Sequence, residues 1–388
     1  MRIRYAEPGD DDDRARQQLT LAVAHCARQA GVHAAALARG ELPKELLHAC
    51  REVDARLELT MLQGAMKEWR PVISCGGHQE LATVARALVE AWAGQGVELT
   101  AHRPAMPVSS ALTQVHRLTG LDLADARVRV GFGRGHLLDI VVEAPCFGAA
   151  DDERDLDVAE LLVELALGER VLDHWVRAVH SAPGGRGGPL RVLQGPSSSS
   201  ATLPLNELPA AVSAAIEGLV AGLPEQPWSR LRDGAGWTMF EAEPELASEY
   251  GAQDDIAVAT TVAPEMLKCF LEKAPFSSLR FSRVGEVFAY LKVESSGDSV
   301  ARLERRQLLE DALTGLLGPG VGAVIGNGLG IRYVYVDLAL ENVERALPLL
   351  RQACTAVPTA DRTWLLFCDS DAVGEWVGMH PTTPRPPR

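Results

Sequence analysis

The chain of 388 residues lacks any apolar run approaching the roughly 18 residues that a membrane-crossing helix needs. Its seven cysteines are odd in number, scattered and without a CxxC pair, which argues against the disulfide framework of a small secreted domain. Reduced, mostly buried thiols are expected instead. Lysine is scarce, five of 38 basic residues, and 52 acidic residues bring the formal net charge to −14. That balance disfavours binding to nucleic acid or anionic lipid and favours a basic partner. The opening stretch, MRIRYAEPGDDDDR, turns acidic before any apolar segment and does not read as a secretory signal, so a cytoplasmic location is expected. No GxSxG, HExxH, Walker lysine or EF-hand loop occurs, which lowers the expectation of the common enzyme classes.

What the chain does have is apolar content, 47% by the AVILMFWYC count, enough for two cores. Ser181–Ala201 contains five glycines, three prolines and four consecutive serines, too little apolar surface to offset its ordering entropy. The fold class expected is α/β (α+β), two sheet-plus-helix domains joined by this flexible Gly/Pro/Ser linker. Residues 1–56 are expected as a helical segment packed on the first domain, 57–180 as that domain, 181–203 as linker, 204–380 as the second domain and 381–388 as a disordered tail.

Within the first half, 57–75 reads as two strands and Gly76-Gly77 as a break. Residues 79–93 form a helix whose Leu81, Val84, Ala85, Leu88, Val89 and Trp92 share a face. Arg127–Val142 alternates as strand, and Asp151–His180 is expected as one long helix. The second half reads as helix over 208–223, strands at 237–241 and 255–262, a short helix at 264–272, and a long strand or hairpin over 278–293 bent near Gly285. Helix at 302–317, strands over 323–340, helix at 341–357 and strand at 363–368 complete it. VGFGRGHLLDIVV (130–142) and IGNGLGIRYVYVDL (325–338) each set G-x-G-x-G before an apolar strand. A distant duplication and coincident hairpin glycines both explain this echo. A dinucleotide loop does not, because strand residues follow the glycines where a helix N-terminus is required.

Cys75-Gly-Gly-His78 has the spacing of half a zinc knuckle, and His25, Cys26, His48 and Cys50 are further ligand types. A helix points His25 and Cys26 about 100° apart, which weakens that set. No metal or cofactor is assigned; Cys75 and His78 remain as the weak candidates, for zinc or for a thiolate activated by imidazole. Trp228, Trp237, Phe240, Tyr250, Tyr333, Tyr335, Trp364 and Trp376 all follow the linker, among loops rich in Asp and Glu. Buried aromatics make core, and exposed ones beside carboxylates grip a partner. The binding candidates are Trp376, its neighbour Glu375, and Asp369 and Asp371 in the segment DSDAVGEWVG.

The order strand pair, helix ELATVARALVEAW (80–92), strand VELTAHRPA (97–105), further strands, then LALGE (165–169) resembles bacterial domains found in polymorphic-toxin and immunity loci. The resemblance spans about residues 57–179; ENVERALPLLRQA (341–353) and Glu375-Trp376 fit it. It implies a non-catalytic protein that binds another protein, as an immunity or inhibitor protein does. Two alternatives stand beside it: an enzyme with its site between the halves, and a regulatory protein that senses a small molecule.

Overall fold

The computed structural model describes residues 13–63, 68–184, 202–271 and 273–387. Most of the expected linker lies outside them. Two units divide the chain, one running from Arg14 to Leu219 and the other from Val220 onward.

In the first unit α1 (Asp13–Val32), α2 (Ala34–Leu37) and α3 (Lys44–Val53) make up the helical segment expected before residue 57. Then β1 (Glu58–Gln63) pairs antiparallel with β2 (Trp69–Ser74), Leu59 opposite Ile73. Gly76 and Gly77 follow with φ of 56° and 78°, a left-handed turn open to glycine that throws the chain outward. α4 (Ala82–Ala93) buries Val84, Ala85, Leu88 and Trp92, the face its spacing predicts. β3 (Thr100–Ala101) returns parallel to β2, so β2, α4 and β3 form a βαβ crossover.

α5 (Val108–Thr119), a helix beyond those expected from the sequence, is closed by Gly120 in the left-handed region. A second sheet has the order β6-β5-β4-β7. Its hairpin, β4 (Arg127–Phe132) and β5 (Leu138–Ala144), carries the first G-x-G-x-G set, as hairpin glycines. The single helix expected over 151–180 is three elements: α6 (Glu153–Leu167), α7 (Glu169–Trp175) and the strand β6 (Val176–Pro183). Gly168 breaks it, because its backbone has φ 82° and an added Cβ would lie 2.7 Å from the Ala105 nitrogen. The stretch VRAVHSAP then runs parallel to β5, Val141 opposite His180, where the β-branched valines pack well. β7 (Leu203–Pro204) pairs with β4, Leu203 opposite Val128. Pairing therefore draws these residues to the first unit, together with the start of α8 (Leu208–Gly222), where the sequence reading had opened the second domain at 204.

The second unit comprises α9 (Trp228–Leu231), β8 (Thr238–Glu241), β9 (Ile256–Thr261), α10 (Pro264–Leu271), β10 (Val287–Glu294) and α11 (Ser299–Leu316). It continues with β11 (Gly322–Gly330), β12 (Tyr333–Leu340), α12 (Val343–Ala356), β13 (Thr363–Phe367) and β14 (Trp376–Gly378). Its antiparallel sheet has the order β14-β13-β10-β12-β11-β9-β8. The run β10-α11-β11-β12-α12-β13, with strand order β13-β10-β12-β11, is the split βαβ arrangement of ferredoxin-like folds, extended at both edges. The period-2 sequence YVYVDLAL on β12 explains the layering. Val334, Val336, Leu338 and Leu340 face Leu309, Leu313, Leu350 and Ala353 of α11 and α12. Tyr333, Tyr335 and Ala339 face the other way, with Trp364, Tyr250, Met266 and Phe281.

The tail expected to be disordered from 381 is in contact with this sheet. Pro384 accepts a 2.6 Å hydrogen bond from the Trp364 indole, and Thr383 Oγ1 accepts from the His380 amide at 2.9 Å. A buried indole N–H needs an acceptor, and here the tail supplies it. No helix among the described residues is long and apolar enough to cross a membrane.

Candidate functional site

Each unit buries a polar cluster, and the two differ in whether their hydrogen-bonding capacity is used up. In the second unit the wholly buried Lys292 of β10 donates to the carbonyls of Tyr250, Gly251 and Ala252 at 2.7, 2.8 and 2.9 Å. Its Nζ also lies 4.2 Å from the Tyr333 ring centroid. Burial draws its pKa down to about 8, with Asp255 and Glu249 pulling the other way, so at neutral pH it remains an ammonium with three donors, all spent. Asp255, also fully buried, accepts from the amides of Arg332 and Tyr333 at 2.7 and 2.9 Å and from the Tyr335 hydroxyl. This cluster pins the loop before β9 to the sheet and has no donor left for a ligand.

Asp337 on β12 is buried with only Gln253 donating to it, at 2.9 Å, and no basic side chain pairs with it among the described residues. Burial raises its pKa to about 6. A carboxyl whose folded pKa lies above its unfolded value stabilises the fold while neutral. Its contribution is complete below about pH 4 and is lost as the pH rises through 6, a loss of about 3 kcal/mol. Asp337→Asn keeps the acceptor for Gln253 and is expected to abolish this descent, leaving the second unit more stable at pH 7. Urea midpoints at pH 4, 5, 6 and 7 measure it; an unchanged slope in the variant would place the titration elsewhere.

The first unit's cluster lies at the carboxyl ends of the parallel strands β2 and β3, where open α/β sheets form their crevices. Cys75 immediately follows β2, His102 follows β3, and Glu169 opens α7. Their ligand atoms all lie within 4.8 Å of one another. Cys75 and Glu169 are buried and His102 is half-buried. Glu169 is held by three donors: Ser74 Oγ and the Cys75 amide reach Oε1 at 2.9 and 2.8 Å, and the Arg103 amide reaches Oε2 at 2.8 Å. The Arg103 guanidinium turns instead to Glu164 and Glu58. Burial raises the pKa of Glu164, opposed by Arg103. His102 Nδ1 is buried without a hydrogen-bond partner, and the residue's backbone has φ 66°. This cluster, unlike the first, has capacity to spare.

The earlier candidates separate. Cys75 belongs to the cluster but His78 does not: the Gly76-Gly77 turn carries it to the surface, where its Nδ1 lies 3.5 Å from Glu80. Cys26 and Cys50 are buried with sulfurs 3.1 Å apart, while His25 and His48 point outward to Glu52, the divergence that helix geometry predicts. Trp376 is 7% exposed and Glu375 4%, so neither is a surface anchor. β14 carries the indole into the aromatic face of the sheet. Asp369 accepts from the Ser278 amide at 2.7 Å and from its hydroxyl, and burial raises its pKa; it caps a turn and holds out no free carboxylate. Asp371 is half-buried. His102 and Glu169 were missed, although they sit in VELTAHRPA and LALGE, at a strand end and a helix start.

One aromatic of the second half does face solvent. Trp237, just before β8, is 46% exposed, Met239 on β8 is 63% exposed, and Val258 on the adjoining β9 is 36% exposed. β8 ends the seven-stranded sheet, and among the described residues only β9 pairs with it. Exposed Glu241 ends β8, and exposed Glu243 and Glu245 follow it. No protein-family model, curated protein or solved structure matches this chain.

Proposed function

We propose that this chain is a non-catalytic cytoplasmic protein that works by binding another protein, in the manner of an immunity or inhibitor protein. The partner presents a basic, extended segment to the β8 edge. The observation that carries this reading is the edge itself. A strand with one edge unpaired is a template for another strand, and natural proteins usually blunt that edge with lysine, proline or a covering element. Here it bears a half-exposed tryptophan and an exposed methionine beside three glutamates. Strand addition would supply main-chain hydrogen bonds, the indole and thioether would supply the apolar anchor, and the carboxylates would select a basic sequence. The net charge of −14 supports the same sign of partner, and the resemblance of residues 57–179 to immunity-locus domains points to the same role.

Capture from the native host with immobilised wild type and Trp237→Ala tests it, followed by kinetics on the captured protein. Trp237→Ala is expected to weaken binding by at least about 2 kcal/mol, near thirtyfold, with its unfolding midpoint unchanged. Added salt should slow association and leave dissociation nearly constant. Equal affinity of the two proteins, or capture of nothing by the wild type, defeats the proposal.

A further inference from the structure

We propose that Cys75, His102 and Glu169 hold one divalent transition-metal ion of the zinc class, at a site independent of the β8 edge. The donor set is a thiolate, an imidazole and a carboxylate, all ligand types of zinc. Three protein ligands leave a fourth position for water or another exogenous ligand. Around a tetrahedral ion with bonds of about 2.0–2.3 Å, ligand atoms lie roughly 3.5 Å apart. The present separations, within 4.8 Å, close to that by small side-chain rotations.

Three further observations point to a cation. First, Glu169 is buried, and no lysine or arginine side chain pairs with it among the described residues. Oε1 has both lone pairs taken and Oε2 has one taken, so one acceptor position remains on a carboxylate already oriented by its donors. Outer-shell hydrogen bonds of this kind fix the ligating carboxylate in metal sites. Second, Nδ1 of His102 is buried without a partner, a cost that coordination would remove. Third, His102 holds a left-handed backbone, φ 66°, a conformation unfavourable for a non-glycine residue that recurs at ligand clamps. The charges balance on binding: the Cys75 thiol gives up its proton to solvent and forms the sulfur–metal bond, so thiolate and Glu169 carboxylate together neutralise the dication. One proton leaves the thiol per ion bound.

Cobalt(II) is the probe, added to the full chain after chelator treatment and followed by absorption. The expected result is one cobalt per chain, tetrahedral visible bands and a thiolate-to-metal charge-transfer band in the near ultraviolet, all displaced by one equivalent of zinc. Cys75→Ser should abolish the charge-transfer band. His102→Asn, chosen because asparagine tolerates the left-handed backbone, should weaken cobalt binding at least roughly tenfold. X-ray absorption on the wild type, which depends on no variant folding, should read one sulfur among otherwise light ligands. Absence of stoichiometric cobalt overturns the assignment, as does a charge-transfer band that survives Cys75→Ser. Loss of binding in His25→Ala/His48→Ala with Cys75 intact does the same, since it assigns the ion to the exposed imidazoles.

Discussion

Lys292→Met is expected to cost the second unit about 3–5 kcal/mol, the usual effect of removing one partner from a buried charged cluster. Domain stabilities are typically about 5–15 kcal/mol, so this change takes a large share. Methionine matches the length of the lysine stem and fills the slot, so the loss is electrostatic and not a cavity effect. The three carbonyls at Tyr250, Gly251 and Ala252 lose their common donor. Ala252 is exposed and can turn to water, whereas Tyr250 is buried and its carbonyl cannot do so cheaply. The fully buried Asp255 also loses a nearby cation while Tyr335 and two amides still hold it in place. Lys292→Arg should fail as well, because a planar guanidinium cannot aim three N–H bonds from one atom at three convergent carbonyls. Urea unfolding followed by tryptophan fluorescence measures both; a midpoint within experimental error of wild type for Lys292→Met would show that the network is dispensable.

Trp376→Ala is expected to destabilise the same unit by about 3–5 kcal/mol, the range for deleting a large aromatic from a core. The indole sits with Tyr290, Tyr335 and Trp364 on the aromatic side of the sheet. It lies on β14, opposite Leu366 of β13, so its removal opens a cavity at a sheet edge held by few pairs. The contrast with Trp237→Ala is diagnostic. One variant should lower the unfolding midpoint whatever the partner concentration, and the other should lower affinity without moving the midpoint. A Trp376→Ala protein with native stability and weakened partner binding would reverse the two roles.

Periodicity carried most of the second unit. The alternation in YVYVDLAL, the apolar spacing in 302–317 and 341–357, and the strand residues after each glycine set predicted helices and hairpins where they occur. Several places escaped it, α5 among them. The residues of β6 read locally as helix, because VRAVHSAP follows a helical stretch and its partner β5 lies about 40 residues away in sequence. β14 is three residues long, too short for any period to register. β7 falls across the expected boundary between linker and second domain, and with the start of α8 it belongs to the first unit, since a two-residue strand is defined by its partner alone.

By itself the sequence determined the mixed α/β class, most of the helices, the hairpin role of both G-x-G-x-G sets and the net acidic character. Those properties are local or additive: a face repeats every 3.6 or 2 residues, and charges sum. Only the tertiary structure decided which aromatics are core and which face solvent, burying Trp376 and leaving Trp237 exposed. It also replaced His78 with His102 beside Cys75 and brought Glu169 to them from 94 residues along the chain. Burial and clustering depend on contacts between distant segments, and in a single sequence those distances leave no periodic mark.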